Sequence, residues 1–203
     1  MTPDERAYLH SLWFNEGVVS IELLSDWMDH KKTELLHYYV ETKIVDDFYE
    51  FFMARPVLCS YGPFPEYDIK LDNNKTVEIK ISSYEGNTVF VETEKLTQGE
   101  WTPSGLTLSE ADYYVFLQPG LVKKDEPISM KVRILPTEEL ISLSKILKIH
   151  TQTNSKGFYV DFGTLKNDGW VGSYPYFPET KQFSLKQPQR AYTNIKNMKK
   201  ENA

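Results

Sequence analysis

The chain has 203 residues, of which 40% are hydrophobic, 26% charged and 14% aromatic, with a formal net charge of -6. This composition belongs to a folded domain long enough to bury a core, and it excludes a disordered acidic chain or a collagen-like one. With Cys59 as the one cysteine, an intrachain disulfide and a cysteine-based zinc site are excluded too.

The charge is unevenly spread. Residues 1–66 carry 12 acidic and 5 basic groups, residues 67–180 carry 16 and 12, and residues 181–203 carry 1 and 6. A basic tail thus follows an acidic body. Met1–Arg6 is charged and has no secretory apolar core. No apolar run approaches the roughly 20 residues a membrane helix needs. The expected compartment is the reducing cytoplasm.

In chain order, Pro3 and the acids Asp4 and Glu5 open a short helix over 3–15, with Gly17 as its stop. Ile21, Leu23, Leu24, Trp27 and Met28 recur at helical spacing and predict a helix over 20–30. Thr33 caps a longer helix reaching about Ala54, where Arg55-Pro56 ends it. Residues 67–71 and 76–81 alternate as strands around the polar turn Asp72-Asn73-Asn74-Lys75, which reads as a hairpin. Asn87–Glu92 is a third strand. Pro103-Ser104-Gly105 is a loop, and Leu108–Asp112 a turn or short helix. Tyr113-Tyr114-Val115-Phe116-Leu117 is a continuous apolar run, as in a central buried strand. Met130–Leu135 is a strand, and a helix capped by Thr137 follows to about Leu147. Phe158–Phe162 is a last strand.

The expectation is one mixed α/β (α+β) domain over 1–180 with a partly antiparallel sheet. It has a helical part (1–56), a sheet core (57–150) and a C-terminal strand and loop extension (151–180), followed by a basic tail (181–203). No dinucleotide or phosphate-binding glycine loop is present.

Chemistry concentrates in Asp68 and Glu78-Ile79-Lys80. Side chains two apart on a strand share a face, so Glu78 and Lys80 point together while Ile79 points to the core. Closure of the hairpin brings Asp68 beside them. Two carboxylates and the Ile79 backbone carbonyl form a hard oxygen set suited to Mg²⁺, with Mn²⁺ as a substitute. A lysine there can orient a water, help deprotonate it and screen charge on a phosphate. The plainer reading is a solvated hairpin whose cross-strand pairs contribute about 0.2–1 kcal/mol each.

The arrangement Asp68-x9-Glu78-Ile79-Lys80, with helices before it and a strand after, resembles the PD-(D/E)xK nuclease superfamily. The likeness continues through Asn87–Glu92, Pro103-Ser104-Gly105-Leu106 and Ala111-Asp112-Tyr113-Tyr114-Val115-Phe116, segments similar to small phage-encoded members. It covers about residues 64–135. The resemblance implies a restriction-endonuclease-like core: a mixed central sheet flanked by helices, with the N-terminal helices before it. It also implies a metal-dependent endonuclease acting on DNA, in which Asp68 and Glu78 hold the metal and Lys80 positions the water. Here Pro65 stands three residues before Asp68, which leaves Glu66 as a competing ligand. Many members add a glutamate from an N-terminal helix, and Glu34, Glu41 and Glu50 are all available. Glu92 is a candidate support for the site. The alternative is an inactive nuclease fold that binds nucleic acid or a protein partner.

His10, His30, His37 and His150 are scattered without a metal-binding spacing. Trp101 and the Trp170–Tyr176 stretch could meet an unpaired base, although packing is the plainer role. The tail cations Lys181, Lys186, Arg190, Lys196, Lys199 and Lys200 read as a solvated terminus or as a DNA-tracking arm. A homodimer is conceivable through residues 3–30.

Overall fold

A computed structural model describes residues 17–21, 30–59, 66–82, 84–120, 129–165, 170–186 and 188–190. The expected helix over 3–15 and nearly all of that over 20–30 lie outside these residues, as do the tail cations Lys196, Lys199 and Lys200. The elements are β1 (Val18–Ser20), α1 (His30–Asp47), α2 (Tyr49–Phe52), β2 (Pro56–Cys59), β3 (Ile69–Leu71), β4 (Thr76–Ile81), β5 (Thr88–Thr97) and β6 (Glu100–Pro103). A one-turn 3-10 helix (Gly105–Thr107) follows, then β7 (Tyr113–Pro119), β8 (Ser129–Pro136) and α3 (Thr137–Ser144). The last elements are β9 (His150–Thr151), β10 (Ser155–Asp161), β11 (Trp170–Phe177), β12 (Gln182–Ser184) and β13 (Gln189–Arg190).

The fold is α+β with a mixed sheet. Alternation along residues 76–81 and the apolar run at 113–117 build its centre. β4 and β7 pair in parallel, with Val77 opposite Tyr113 and Ile81 opposite Leu117. The other pairs are antiparallel, in the order β1-β12-β11-β8-β7-β4-β3-β2, with β13 beside β11. Successive β7 side chains serve two cores, as a strand's period of two requires. Val115 and Leu117 join Val77, Ile79, Val132 and Ile134 against Leu36, Val40, Ile44 and Phe48 from α1–α2 and the link between them. Tyr114 and Phe116 face the other way, toward Val89, Val91, Phe158 and Val160. These last residues belong to a second, four-stranded antiparallel sheet in the order β6-β5-β10-β9. α3 seals the same core through Leu140.

Several expectations are corrected. The helix expected over 33–54 starts at His30, so Thr33 does not cap it, and it breaks at Phe48. It ends at Met53 in the left-handed region (φ 50°), and Pro56 then begins a strand that the sequence reading missed. The strand expected over 67–71 is shorter, Ile69–Leu71. Ser20 closes β1, and Ile21 directly after it is helical, at the place where the helix over 20–30 is expected to begin. The third strand is longer than expected and leaves the hairpin's sheet. A second sheet, rather than helices alone, covers that face. Thr137 lies inside α3 and not at its cap, because its hydroxyl donates to the Ala111 carbonyl instead. The extension does not stop at 180, since β12 and β13 carry residues 182–184 and 189–190 into the main sheet.

Asp112 holds the parallel register. Lys75 Nζ donates to its Oδ1 at 2.6 Å and Thr76 N to its Oδ2 at 2.9 Å, while its own N–H donates to the Thr76 carbonyl at 2.9 Å. Its carbonyl accepts from Thr137 N at 2.9 Å, which joins the starts of β4, β7 and α3. Burial works against the Asp112 charge, but Lys75 and Thr76 outweigh it and hold the carboxyl below its usual pKa. A lowered folded pKa stabilises above the unfolded carboxyl value, and the gain is lost as pH falls through the folded value. Asp112→Asn is therefore expected to lose about 1–2 kcal/mol at pH 7, the scale of charge-assisted bonds discounted for exposure. The difference from wild type should shrink below about pH 4. Urea unfolding at both pH values measures it, and an equal loss at both would disprove the assignment.

Candidate active site at the hairpin

Asp72–Lys75 close the hairpin: Leu71 N donates to the Lys75 carbonyl at 2.8 Å, and Lys75 N to Asn73 Oδ1 at 3.0 Å. Ile69 then faces Val77, and Asp68, one residue earlier, falls in line with Glu78. Asp68 N donates to the Val77 carbonyl at 3.0 Å, and Ile79 N donates to Asp68 Oδ2 at 2.6 Å. Lys80 Nζ forms an ion pair with Glu78 Oε1. The hairpin thus gathers Asp68, Glu78 and Lys80, while Ile79 is buried in the α1-side core.

The burial is uneven. Glu78 is 7% exposed, whereas the Lys80 side chain keeps 49% of its surface. Glu78 Oε2 is buried and makes no hydrogen bond. A buried carboxylate oxygen without a donor is costly unless something positive reaches it.

The helix contributes Glu41. It is 8% exposed, with His37 Nδ1 at 3.5 Å from its Oε1, one helical turn back. Burial raises the Glu41 pKa; His37 and Lys80 pull it down and Glu78 pushes it up. Burial raises Asp68 to about 6, helped by Glu41 and opposed by the Ile79 N–H, Lys80 and His37. Glu78 is raised by burial, with Lys80 lowering it and Asp68 raising it. Three carboxylates from α1, the hairpin approach and β4 therefore feel one another. Of the three glutamates left open by the sequence, Glu41 is coupled to the hairpin acids. Glu50 is exposed on α2, and the side chain of Glu34 lies outside the described ones.

For Lys80, burial favours loss of the proton, but Glu78 and Asp68 outweigh it and raise the pKa above the usual lysine value. An ammonium has no lone pair, so Lys80 acts here as a donor and positive charge.

Glu66 lies in a bend before β3. Its carbonyl accepts from Glu110 N at 2.7 Å, and its Oε2 is buried without a hydrogen bond. Glu92 on β5 accepts from Ser104 Oγ at 2.6 Å. Gly105 (φ 51°) packs so closely on β5 that an added Cβ would stand 2.5 Å from the Glu92 carbonyl oxygen. Glu92, Gly105 and Leu106 line a cavity of about 200 Å³ with Lys80, Tyr114 and Phe116. The sequence reading named Glu92 and the Ser104-Gly105 loop but not the cavity. The i, i+4 spacing of His37 and Glu41, unused in the sequence analysis, is the local sign of the helical contribution.

The donor set is hard oxygen, and the orphaned Glu78 Oε2 fits a cation. Among the described residues, no group of three or more His, Cys, Asp and Glu side chains is arranged to hold a metal ion. Asp68 Oδ2 is turned to the Ile79 N–H and Glu78 Oε1 to Lys80. No helix among the described residues is long and apolar enough to cross a membrane. Comparisons with protein-family models, curated proteins and solved structures found no match to this chain.

Cys59 sits behind this site on β2, with Thr42 Oγ1 at 3.2 Å from its Sγ. Burial pushes the thiol up to about 11, partly offset by Thr42. At pH 8 the reactive thiolate is scarce. Iodoacetamide is expected to label the folded chain at least about tenfold more slowly than the urea-unfolded chain, given an ordinary thiol near 8.5. Equal rates by mass spectrometry would contradict this burial.

Proposed function

We propose that this protein is a metal-dependent nuclease with a restriction-endonuclease-like core, hydrolysing phosphodiester bonds in DNA. One observation carries the reading: Asp68, Glu78 and Lys80 converge with the buried Glu41, and Glu78 Oε2 is left without a donor. A purely solvated hairpin has no need to bury a glutamate at 7% exposure. Asp68, Glu78 and the Ile79 carbonyl are the groups that would hold Mg²⁺ or Mn²⁺. A divalent cation, when bound, supplies Lewis acidity toward a phosphoryl oxygen.

The chain's own groups do the remaining work. The half-exposed Lys80 ammonium donates to a non-bridging phosphate oxygen and orients the incoming water. The carboxylates keep the phosphate from binding too deeply, by repulsion, until their charge is neutralised. The water oxygen forms the new bond to phosphorus as the bond to the leaving oxygen breaks, and a water proton ends on that oxygen.

Cleavage of single-stranded, duplex and branched DNA with Mg²⁺ or Mn²⁺ tests the proposal. Lys80→Ala, Glu78→Gln and Asp68→Asn are each expected to reduce the rate at least about 100-fold, the scale for a lost electrostatic or acid–base group. Glu41→Gln should cost less if it supports the site from α1. Equal cleavage by wild type and Lys80→Ala would refute the reading. DNA binding without cleavage in wild type would favour the inactive nuclease fold.

Thermal unfolding gives an independent check. Three mutually repelling carboxylates burden the apo fold, so millimolar Mg²⁺ should raise Tm by about 2–4 °C per kcal/mol of binding. Glu78→Gln should raise the metal-free Tm and abolish most of the Mg²⁺ response. An identical Mg²⁺ response in wild type and Glu78→Gln would remove Glu78 from the metal site.

A further inference from the structure

Tyr114 sits in the middle of the molecule, 1% exposed. It stands opposite Glu78 in the parallel ladder, as Phe116 stands opposite Lys80. Both rings therefore lie on the face that carries Glu78 and Lys80. They stack 5.9 Å apart at 27°, which holds the Tyr114 ring in place. Its hydroxyl oxygen is buried and makes no hydrogen bond. Ser109 is close by, but its Oγ proton goes to the Glu66 carbonyl at 3.3 Å and it accepts from Ala111 N at 3.2 Å. Burial pushes the phenol up to about 12; Ser109 and Lys80 pull it down, and Glu78 and Asp68 push it up. The group is thus a neutral donor that keeps its proton at ordinary pH.

A buried tyrosine hydroxyl normally finds a partner, and leaving one unmet is costly. An acceptor is at hand, because Glu78 Oε2 on the next strand is also buried and unmet. Donor and acceptor share a face without meeting, although a bond between them would satisfy both. Each is therefore left to a group of its own kind. The carboxylate oxygen suits a cation, and the O–H suits an oxygen that carries negative charge. Lys80 supplies a second donor, since it lines the same cavity of about 200 Å³ as Tyr114. A cavity of about 150 Å³ holds a benzene ring, so a phosphoryl group has room here.

We propose that the Tyr114 hydroxyl and the Lys80 ammonium form a two-donor slot for a phosphoryl oxygen of the substrate, resting on the nuclease reading for the identity of that group as a backbone phosphodiester. A phosphodiester carries two non-bridging oxygens, one for a cation held at Glu78 and one for the donors. Hydrogen bonds aimed at that second oxygen strengthen as charge builds on it in the transition state. Tyr114 forms no covalent bond, and its proton stays on the phenol oxygen.

Phosphorus NMR titrations of the full chain in Mg²⁺ test the slot without cleavage. The probes are dimethyl phosphate and inorganic phosphate, which separate a backbone diester from a free phosphate. Wild type should bind the diester, and Tyr114→Phe should bind it roughly 10- to 100-fold more weakly, the range for a hydrogen bond to a charged group. Tyr113→Phe, whose ring packs on Phe51 and Phe52 across the other face, should bind as wild type does. Tyr114→Phe should also slow DNA cleavage about 100-fold, the scale for one lost oxyanion donor. The metal-free Tm gives a readout that a structural hydroxyl would move the other way. Tyr114→Phe removes an unmet oxygen and keeps the ring, so its Tm should equal or exceed that of wild type. A lower Tm, equal diester binding by wild type and Tyr114→Phe, or no binding of either probe by wild type would each overturn the slot. Binding of inorganic phosphate without the diester would overturn the backbone as its occupant. Tyr114-dependent diester binding with no Mg²⁺-dependent cleavage would sustain the slot and remove the nuclease reading. Lys80-dependent cleavage with Tyr114-independent binding would do the reverse.

Discussion

The parallel pairing of β4 with β7 is the constraint on which the rest of the molecule depends. It is the one parallel ladder among the described strands, and a parallel pair cannot be joined by a tight turn. The chain leaves β4, builds β5, β6 and the 3-10 turn elsewhere, and returns as β7. Asp112 closes that long excursion by tying Lys75 and Thr76 to the first residues of β7. Once the register is set, Glu78 lies opposite Tyr114 and Lys80 opposite Phe116. The charged pair then faces the second core, beside β5 and the cavity. A one-residue slip would turn Glu78 and Lys80 into the α1 side and put Ile79 in the site.

A second consequence is electrostatic. Glu78 and Glu41 are buried acids, and Asp68 is held near 6 by burial and by Glu41. Gathering like charges in low dielectric opposes folding. Lys80, His37 and the Ile79 N–H offset part of that opposition, yet Glu78 Oε2 remains without a donor. Such arrangements cluster at functional sites, and the proposed cation is what would complete this one. The same logic separates this cluster from the Asp112 staple, whose carboxylate is fully met by donors and whose pKa moves down. One acid is arranged for stability, while the others are held at a cost to it.

The excursion between β4 and β7 also shapes the candidate site. By leaving the main sheet, β5 forms a second sheet whose inner residues Val89 and Val91 close the core over Tyr114 and Phe116. Its outer residues Phe90 and Glu92 reach the edge of the Lys80 cavity. Gly105 is needed where the loop crosses Glu92, because the backbone approaches too closely for a side chain and takes a positive φ. The Ser104-Gly105-Leu106 segment thus opens the connection from β6 back to β7 at the edge of the candidate site.

The local pattern of the chain by itself determined the hairpin, its turn, the buried run of β7, β8 and the pairing of Asp68 with Glu78 and Lys80. Those features follow from alternation and turn chemistry, which act within a few residues. It did not show that β5 would desert the hairpin's sheet, that β2 and β12 would extend the main one, or that Thr137 would spend its hydroxyl on Ala111. Each of these is decided by a partner distant in sequence. The separation of Glu41 from Glu50 is of the same kind. Between the described side chains of Glu41 and Glu50, the packing of α1 on the sheet buries Glu41 within electrostatic reach of Glu78 and leaves Glu50 exposed. The physical reason is that strand alternation is a local steric property, whereas sheet order, burial and mutual repulsion of charges exist only when the whole chain has closed.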